Sequence, residues 1–321
     1  MTDSIDSRVA ASLAVLDDHL SRLRSAAPVG SSILDHAYRG LAHFALGGKH
    51  MRARLVHIGA GAVDRNQLHA ATVFGACVDL MHGAFLIHDD VIDRDDFRRG
   101  SPTVHAAIRD EFGDDHLGMS VAIVAGDLGL TATTELLLRS SLDDALVRRA
   151  LRILNEAAGR TIVGEILDIA HSVLHEPTLE LVRLSNHLKT SDYSFSAPLR
   201  LGALAAGRDP AAMGPIGKEL GCAYQAADDI AGVVGLTADT GKATRSDIKH
   251  GRATLMTLRM DGYSDDDPER LAVATADVVA EGLAHLDTAR ELIDGTSLAT
   301  DIRQNLLSVT ATIEGTLTAY V

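Results

Sequence analysis

The stretch LIHDDVIDRDDFRRGSPTVH, Leu86 to His105, follows the apolar run Ala84-Phe85-Leu86-Ile87 and decides how the rest of the chain is read. With 3.6 residues per turn, Asp89 and Asp93 stack one above the other on a helix, and Asp90 lies about 100° around it. Like charges four residues apart repel. A helix that carries them at the end of an apolar run is shaped for hard cations, and oxygen-rich sites with spare water positions suit Mg²⁺ bridged to phosphates, with Mn²⁺ as a substitute. Arg98 and Arg99 supply planar forks that grip phosphate oxygens.

A second carboxylate pair, Asp228-Asp229, closes the apolar helical sequence Tyr224-Gln225-Ala226-Ala227. Gln225 precedes Asp228 by three residues and Asp229 by four, so its amide shares their face. Helix bundles build sites from carboxylates on facing helices, and the five aspartates Asp89, Asp90, Asp93, Asp228 and Asp229 are the expected metal ligands. The triplet Asp265-Asp266-Asp267, beside Gly262, Ser264 and Pro268, reads instead as a loop between helices.

Cations match the acids. In Gly47-Gly48-Lys49-His50-Met51-Arg52 a glycine turn enters a helix with Lys49 and Arg52 three apart, and helix N-termini already favour anions. Lys189-Thr190 follows an apolar helix, and Lys242 and Arg252 lie in a polar, glycine-containing stretch. One such cation alone reads as a solvated surface group; together they offer several positive positions for two diphosphates.

The length of 321 residues, 46% of them hydrophobic, is ample for a large core. Only seven prolines occur, residues 29–101 and 103–176 contain none, and no Ser/Gly/Pro linker divides the halves, so a single domain over 1–321 is expected. Helix-favouring residues punctuated by scattered Gly and Pro, and no segment with clean alternation, predict an all-α bundle around a central cavity. A net charge of −14 excludes a nucleic-acid surface or an anionic membrane surface as the natural partner. Cys77 and Cys222 lie in apolar sequence and read as reduced core thiols. The acidic start MTDSIDSRVA lacks the features of a signal peptide, and no apolar run approaches the roughly 18 residues of a membrane span, so a cytoplasmic protein without a transmembrane segment is expected.

Six elements, in order from Gly47 to about Thr254, resemble the trans-type isoprenyl diphosphate synthases of the polyprenyl synthetase family. GGKHMR is similar to the family's GGKxxR element, and HDDVIDRDDFRRGSPTVH to its first aspartate-rich motif with the trailing RRGxPTxH. GDLGL (126–130) and GEILD (164–168) match shorter elements, the latter with Glu165 where glutamine is frequent. KTSDYSFSAPLRLGA, YQAADD and GKATRSDIKHGRAT resemble the KT element, the second aspartate-rich region and the lid. Two departures stand out: Gly232 replaces the third carboxylate of the second motif, and Arg252 replaces the lid's usual second lysine.

The resemblance implies a homodimer of all-α subunits that condenses isopentenyl diphosphate with an allylic diphosphate, geranylgeranyl diphosphate being the favoured product and farnesyl diphosphate the second. It implies that Asp89, Asp93 and Asp228 bind the metals, that Arg98, Lys189 and Lys242 hold the allylic diphosphate, and that Lys49, Arg52, His82 and Arg99 hold isopentenyl diphosphate. Thr190 and Gln225 would line the allylic cation with oxygen dipoles. His82 has an alternative as a satisfied core histidine, and His88 is expected to act behind the site. Phe85, Ala84 and Met81, one and two turns before Asp89, are expected to bound the growing chain, with Phe85 as simple core filling the alternative. A terpene cyclase would need an Asn-Asp motif with later Ser/Thr and Glu that has no counterpart here, and a His-Asp phosphohydrolase leaves the ordered cations unexplained. A non-catalytic partner subunit, motivated by Gly232, stays open.

Overall fold

The computed structural model describes residues 4–173, 177–234, 252–260 and 267–320, and almost all of them are helical. Thirteen α-helices occur among the described residues: α1 (Ile5–Ser25), α2 (Ser32–Leu46), α3 (Met51–Ala60), α4 (Arg65–Asp93), α5 (Val104–Phe112), α6 (Asp115–Leu138), α7 (Asp144–Val173), α8 (Leu179–Asn186), α9 (Ala197–Ala205), α10 (Met213–Val234), α11 (Leu255–Arg259), α12 (Pro268–Gly295) and α13 (Thr300–Thr318). The only sheet among the described residues is a two-stranded ribbon of β1 (Phe97–Arg98) and β2 (Ser101–Pro102). The expected all-α class is what the chain forms.

Two compact units emerge, residues 1–151 with 204–208, and residues 152–203 with 209–321. The sequence suggests one domain because it offers no linker; the boundaries at 151/152 and 203/204 fall inside α7 and α9, and the one at 208/209 falls in the connection after α9.

The first unit is built on α4. Asp64 caps its N-terminus by accepting from the backbone of Asn66 and Gln67, while the Gln67 side chain accepts from the Asp64 backbone, a reciprocal capping box. From Ala70 to Met81 every residue is buried, with α1, α2, α3 and α6 packed around it. Burial on all sides explains a helix apolar around its whole circumference.

The same composition corrects the expectation about membrane-spanning length. Both α4 and α6 are long and apolar enough to cross a bilayer, because Ala, Val, Leu and Ile raise their average hydropathy despite interspersed polar residues. The most apolar window of α4 is 83% buried within the protein, which is how a core helix looks. That of α6 is 44% buried, leaving Ile123 and Val124 exposed.

The second unit is built on α10. Here α8, residues His187–Ser196 and α9 form one unbroken helical run whose middle ten residues are wound as a wider π-helix. Lys189 and Thr190, expected to follow a helix, lie inside this run, within its wide turn. Such turns bulge the backbone and recur at functional sites. α10 lies against it through glycines: a Cβ on Gly221 would fall 2.5 Å from Ser191 Cα, and one on Gly217 the same distance from Ser196 Cα. One turn beyond Gly221 is Gln225, so the close approach sets where Gln225 meets the wide turn.

Gly221→Ala should therefore force these backbones apart and cost about 1–3 kcal/mol by overpacking, seen as a lower denaturation midpoint. An unchanged midpoint would show that the contact relaxes freely.

Candidate active site

In the first unit α4 ends at Asp93, and Arg94 adopts the left-handed conformation (φ 57°) that turns the chain back. The ribbon follows, Phe97 paired with Pro102 and Arg98 with Ser101. Its two turn residues, Arg99 and Gly100, both have positive φ (52° and 75°), as a tight two-residue hairpin demands. Glycine adopts this at no steric cost, whereas Arg99 is held there against about 1 kcal/mol. Nothing lies within 4 Å of a Cβ on Gly100, so backbone conformation alone calls for glycine there.

The hairpin sends its two arginines to different targets. Arg98 returns to the end of α4, donating through Nη2 to Asp89 Oδ2 (2.9 Å) and through Nε to Asp90, with Asp95 at 3.5 Å. Asp90 is only 1% exposed, and burial pushes its carboxyl up to about 7 against the pull of the Arg98 guanidinium. Arg99 lies on the Gly47-Gly48 turn: its Nη1 donates to Phe44 O (3.4 Å), and a Cβ on Gly48 would stand 2.7 Å from Nη2. Gly48 itself has φ 100°.

That turn is fixed from behind by Asp79, 3% exposed on α4. Its Oδ2 pairs with His50 Nδ1 (2.8 Å), and its Oδ1 accepts from Ala53 N (3.3 Å) in the first turn of α3. Lys49 is exposed beside it. Burial, then the guanidinium groups of Arg52, Arg99 and Arg98, hold the His82 imidazole well below its ordinary range, so His82 stays neutral among cations. Arg52, His82, Arg98 and Arg99 thus converge from three segments, and Lys49 adjoins them only through its place in the turn before His50.

The neighbouring face of α4 serves packing. His88 Nε2 contacts Ile123 O (3.0 Å) on α6, lies 3.5 Å from Asp127, and its ring fills the space left by Gly126. Ala84, one turn earlier, is fully buried where a Cβ on Gly129 would come within 2.8 Å of it. Of the three residues expected to bound a product channel, Ala84 is therefore a helix-packing contact with α6. Met81 is buried too, and Phe85, half-buried, shares the face of Asp89.

In the second unit, α7 meets the wide turn at Gly164, where a Cβ would be 2.4 Å from Lys189 N. Lys189 Nζ is consequently gripped by Glu165 (2.8 Å) and Asp168 (2.9 Å). Thr190 Oγ1 donates to Gln225 Oε1 (2.6 Å), and Gln225 Nε2 donates to Asp229 Oδ1 (2.7 Å). The two members of the second aspartate pair differ sharply. Asp228 is exposed; Asp229 is 3% exposed, and its Oδ2 accepts from Asn186 Nδ2 (3.2 Å) and Leu255 N (3.0 Å). Gly232, half-buried, follows one turn after Asp228. Arg252 lies just before α11, and Lys242 lies outside the described residues.

Among the described residues no three of His, Cys, Asp and Glu converge to hold a metal by themselves. An all-oxygen pair such as Asp89/Asp93 fits instead an ion of the Mg²⁺ kind, which keeps water and substrate phosphates as most of its ligands. In this structure the charge facing Asp89 and Asp90 is the guanidinium of Arg98.

A family model described as Polyprenyl synthetase matches residues 34–279. The chain belongs to the polyprenyl synthetase family. This member is 32% identical over 229 residues to a short chain isoprenyl diphosphate synthase of Methanothermobacter thermautotrophicus, covering 70% of this chain and 67% of that one. It is 32% identical over 253 residues to a (2E,6E)-farnesyl diphosphate synthase of Mycobacterium tuberculosis, covering 77% and 67%. The chain matches about two thirds of the length of these relatives. Among solved structures, a geranylgeranyl pyrophosphate synthase from Corynebacterium glutamicum, complexed with isoprenyl diphosphate and magnesium, is similar over 97% of this chain and 99% of that one, with a TM-score of 0.86 and 27% identity.

Sequence reasoning passes over Asp79 and Asn186. Asp79 is detectable as the lone charge in the otherwise apolar stretch Thr72–Met81. Asn186 carries no signal, since its partner is 43 residues away.

Asp79→Asn keeps the shape of the side chain but removes the charge facing His50 and α3. It should weaken binding of a diphosphate ligand about tenfold, the loss of one charge-assisted hydrogen bond. Calorimetric titration with inorganic pyrophosphate checks this, and unchanged affinity would remove Asp79 from the site.

Proposed function

We propose that this member of the polyprenyl synthetase family condenses isopentenyl diphosphate with an allylic diphosphate, releasing pyrophosphate and yielding a prenyl diphosphate of medium length, geranylgeranyl diphosphate first and farnesyl diphosphate second. The observation that carries the reading is the convergence of the glycine turn, the arginine hairpin and the first aspartate motif at one end of α4. Its relatives are named for short-chain, farnesyl and geranylgeranyl products.

Asp89, Asp93 and Asp228 would hold Mg²⁺, or Mn²⁺ in its place, which supplies charge neutralisation of the leaving pyrophosphate. Arg98, Lys189 and Lys242 would grip the allylic diphosphate, and Lys49, Arg52, His82 and Arg99 the isopentenyl diphosphate. Arg252 would close over the substrates. The allylic carbon–oxygen bond breaks with its electron pair leaving on pyrophosphate. The isopentenyl double bond then attacks the allylic cation, and the proton lost from the adduct goes to the released pyrophosphate. Thr190 and Gln225 would face the cation with oxygen atoms, a stabilisation worth most in a closed, low-dielectric site.

The same reading makes the protein a cytoplasmic homodimer. In its support, Ile162, Val163, Ile166 and Ile169 leave an apolar face of α7 exposed, and a patch of that kind marks a protein contact. The non-catalytic subunit reading, raised by Gly232, is disfavoured because Asp89, Asp93, Asp228, Lys189, Thr190 and Gln225 are all present.

Purified protein with isopentenyl diphosphate, Mg²⁺ and a series of allylic primers should give elongated products by mass spectrometry. No product with any primer sinks the proposal. Asp89→Ala should lower turnover by about 10³-fold or more while the fold persists, because it relieves repulsion as it removes a ligand. Phe85→Ala should lengthen the product, and an unchanged distribution would assign Phe85 to the core.

A further inference from the structure

The second aspartate pair is read from sequence as two metal ligands, yet Asp229 is enclosed by protein donors. Its Oδ2 receives Asn186 Nδ2 and Leu255 N, and its Oδ1 receives Gln225 Nε2. These donors come from the end of α8, the start of α11 and one turn back on α10. We infer that Asp229 is a positioning residue that sets the direction of the Gln225–Thr190 hydrogen-bond relay and so fixes which end of the Thr190 hydroxyl faces the reacting cation. The inference rests on the prenyl-transfer reading and deepens it.

Donor and acceptor capacities fix the direction. An amide presents an oxygen and a nitrogen that are interchangeable in shape, so its orientation is decided by its partners. A carboxylate only accepts, and therefore Gln225 must aim Nε2 at Asp229 and Oε1 at Thr190. Oε1 can only accept, so Thr190 spends its one hydrogen on Gln225 across 2.6 Å. What remains on Thr190 Oγ1 for a substrate is lone pairs, the end that stabilises positive charge. Reversing the amide would make Nε2 the donor to Thr190 and leave the hydroxyl hydrogen, a partial positive charge, as the outward end. A half-buried network anchored on a buried carboxylate is enforced by the lowered dielectric around it, where an unmatched pair of donors is costly.

The chemistry of the relay supplies its own test. Asp229→Asn puts a donor against Gln225 Nε2 and turns the amide over. Gln225→Glu sets two carboxylates against each other. Combining the two substitutions restores the match, because the amide introduced at position 229 donates to the carboxylate introduced at position 225. The other oxygen of that carboxylate again accepts from Thr190, and the net charge of the pair is unchanged. Each single variant should lower kcat about tenfold or more, with the Mg²⁺ concentration for half-maximal rate and the KM for both diphosphates held within about twofold, and the double variant should recover most of the loss. In a Thr190→Val background, Asp229→Asn should cost no further kcat. A raised Mg²⁺ requirement in Asp229→Asn would return Asp229 to the metal ligands, and a double variant no better than the poorer single one would overturn the relay.

A second readout needs no turnover. The Gln225 side-chain amide resonance, assigned by its loss in Gln225→Glu, should move strongly in Asp229→Asn and little in Thr190→Val. The opposite pattern would reverse the relay and overturn the inference. If wild-type protein elongates no primer, the prenyl-transfer reading falls by itself, while this resonance still decides the direction of the relay. If Asp229→Asn does not fold, the double variant should fold and carry activity; a double variant that also fails overturns the inference.

Discussion

A carboxylate taken out of water has to be met by a counter-charge or by several donors, and this constraint organises both units. Three acidic residues are buried among the described residues, Asp79, Asp90 and Asp229, all on the apolar central helices α4 and α10. None is satisfied by its own helix alone. Asp79 draws in His50 and the start of α3, Asp90 draws in Arg98 from the hairpin, and Asp229 draws in Asn186 and the start of α11. Each buried charge thereby fastens a segment that carries functional groups. Leaving any of them unpaired would cost several kcal/mol, so the apolar helices hold the polar site segments in place by the expense of the alternative.

The two aspartate pairs share a geometry. Adjacent residues on a helix point about 100° apart, so when one member faces the open side of the helix the other is turned toward the protein. Asp89 is partly open and Asp90 closed; Asp228 is exposed and Asp229 closed. In each pair the outward member reaches the open side of its helix, Asp89 with Arg98 upon it, and the inward member is enclosed by its own protein. Departure from the family pattern at Gly232 leaves this division intact.

The fold class and the order of the site elements are legible in the sequence because they rest on local pattern: apolar circumference in α4, a glycine turn before α3, the acidic end of α4. The RRG sequence reads as two phosphate forks, yet its local meaning is a hairpin too short for alternation to reveal, and the divergence of Arg98 from Arg99 follows from that turn. Asp228 and Asp229 look equivalent in sequence because spacing gives relative angle and not absolute direction. Ala84 stands beside Phe85 as expected channel lining for the same reason; its burial against α6 depends on Gly129, 45 positions along the chain. The wide turn at Lys189-Thr190 has no signature at all, since π-helical winding uses the same residues as α-helix.

That wide turn has a consequence for how the chain can change. A π-helix differs from an α-helix by roughly one extra residue per turn, so deleting a residue between His187 and Ser196 would let the backbone close into ordinary α-helix with its hydrogen bonds intact. Such a deletion would be mild as a matter of backbone energetics. The flanks would keep their phase, since the deletion removes the extra residue of the wide turn, but the residues inside the turn would shift around the helix axis, carrying Lys189 and Thr190 away from Glu165, Asp168 and Gln225. The segment is thus one in which length is under tighter constraint than composition, and what a deletion removes there is the phase of the turn's own residues rather than any atom of the site.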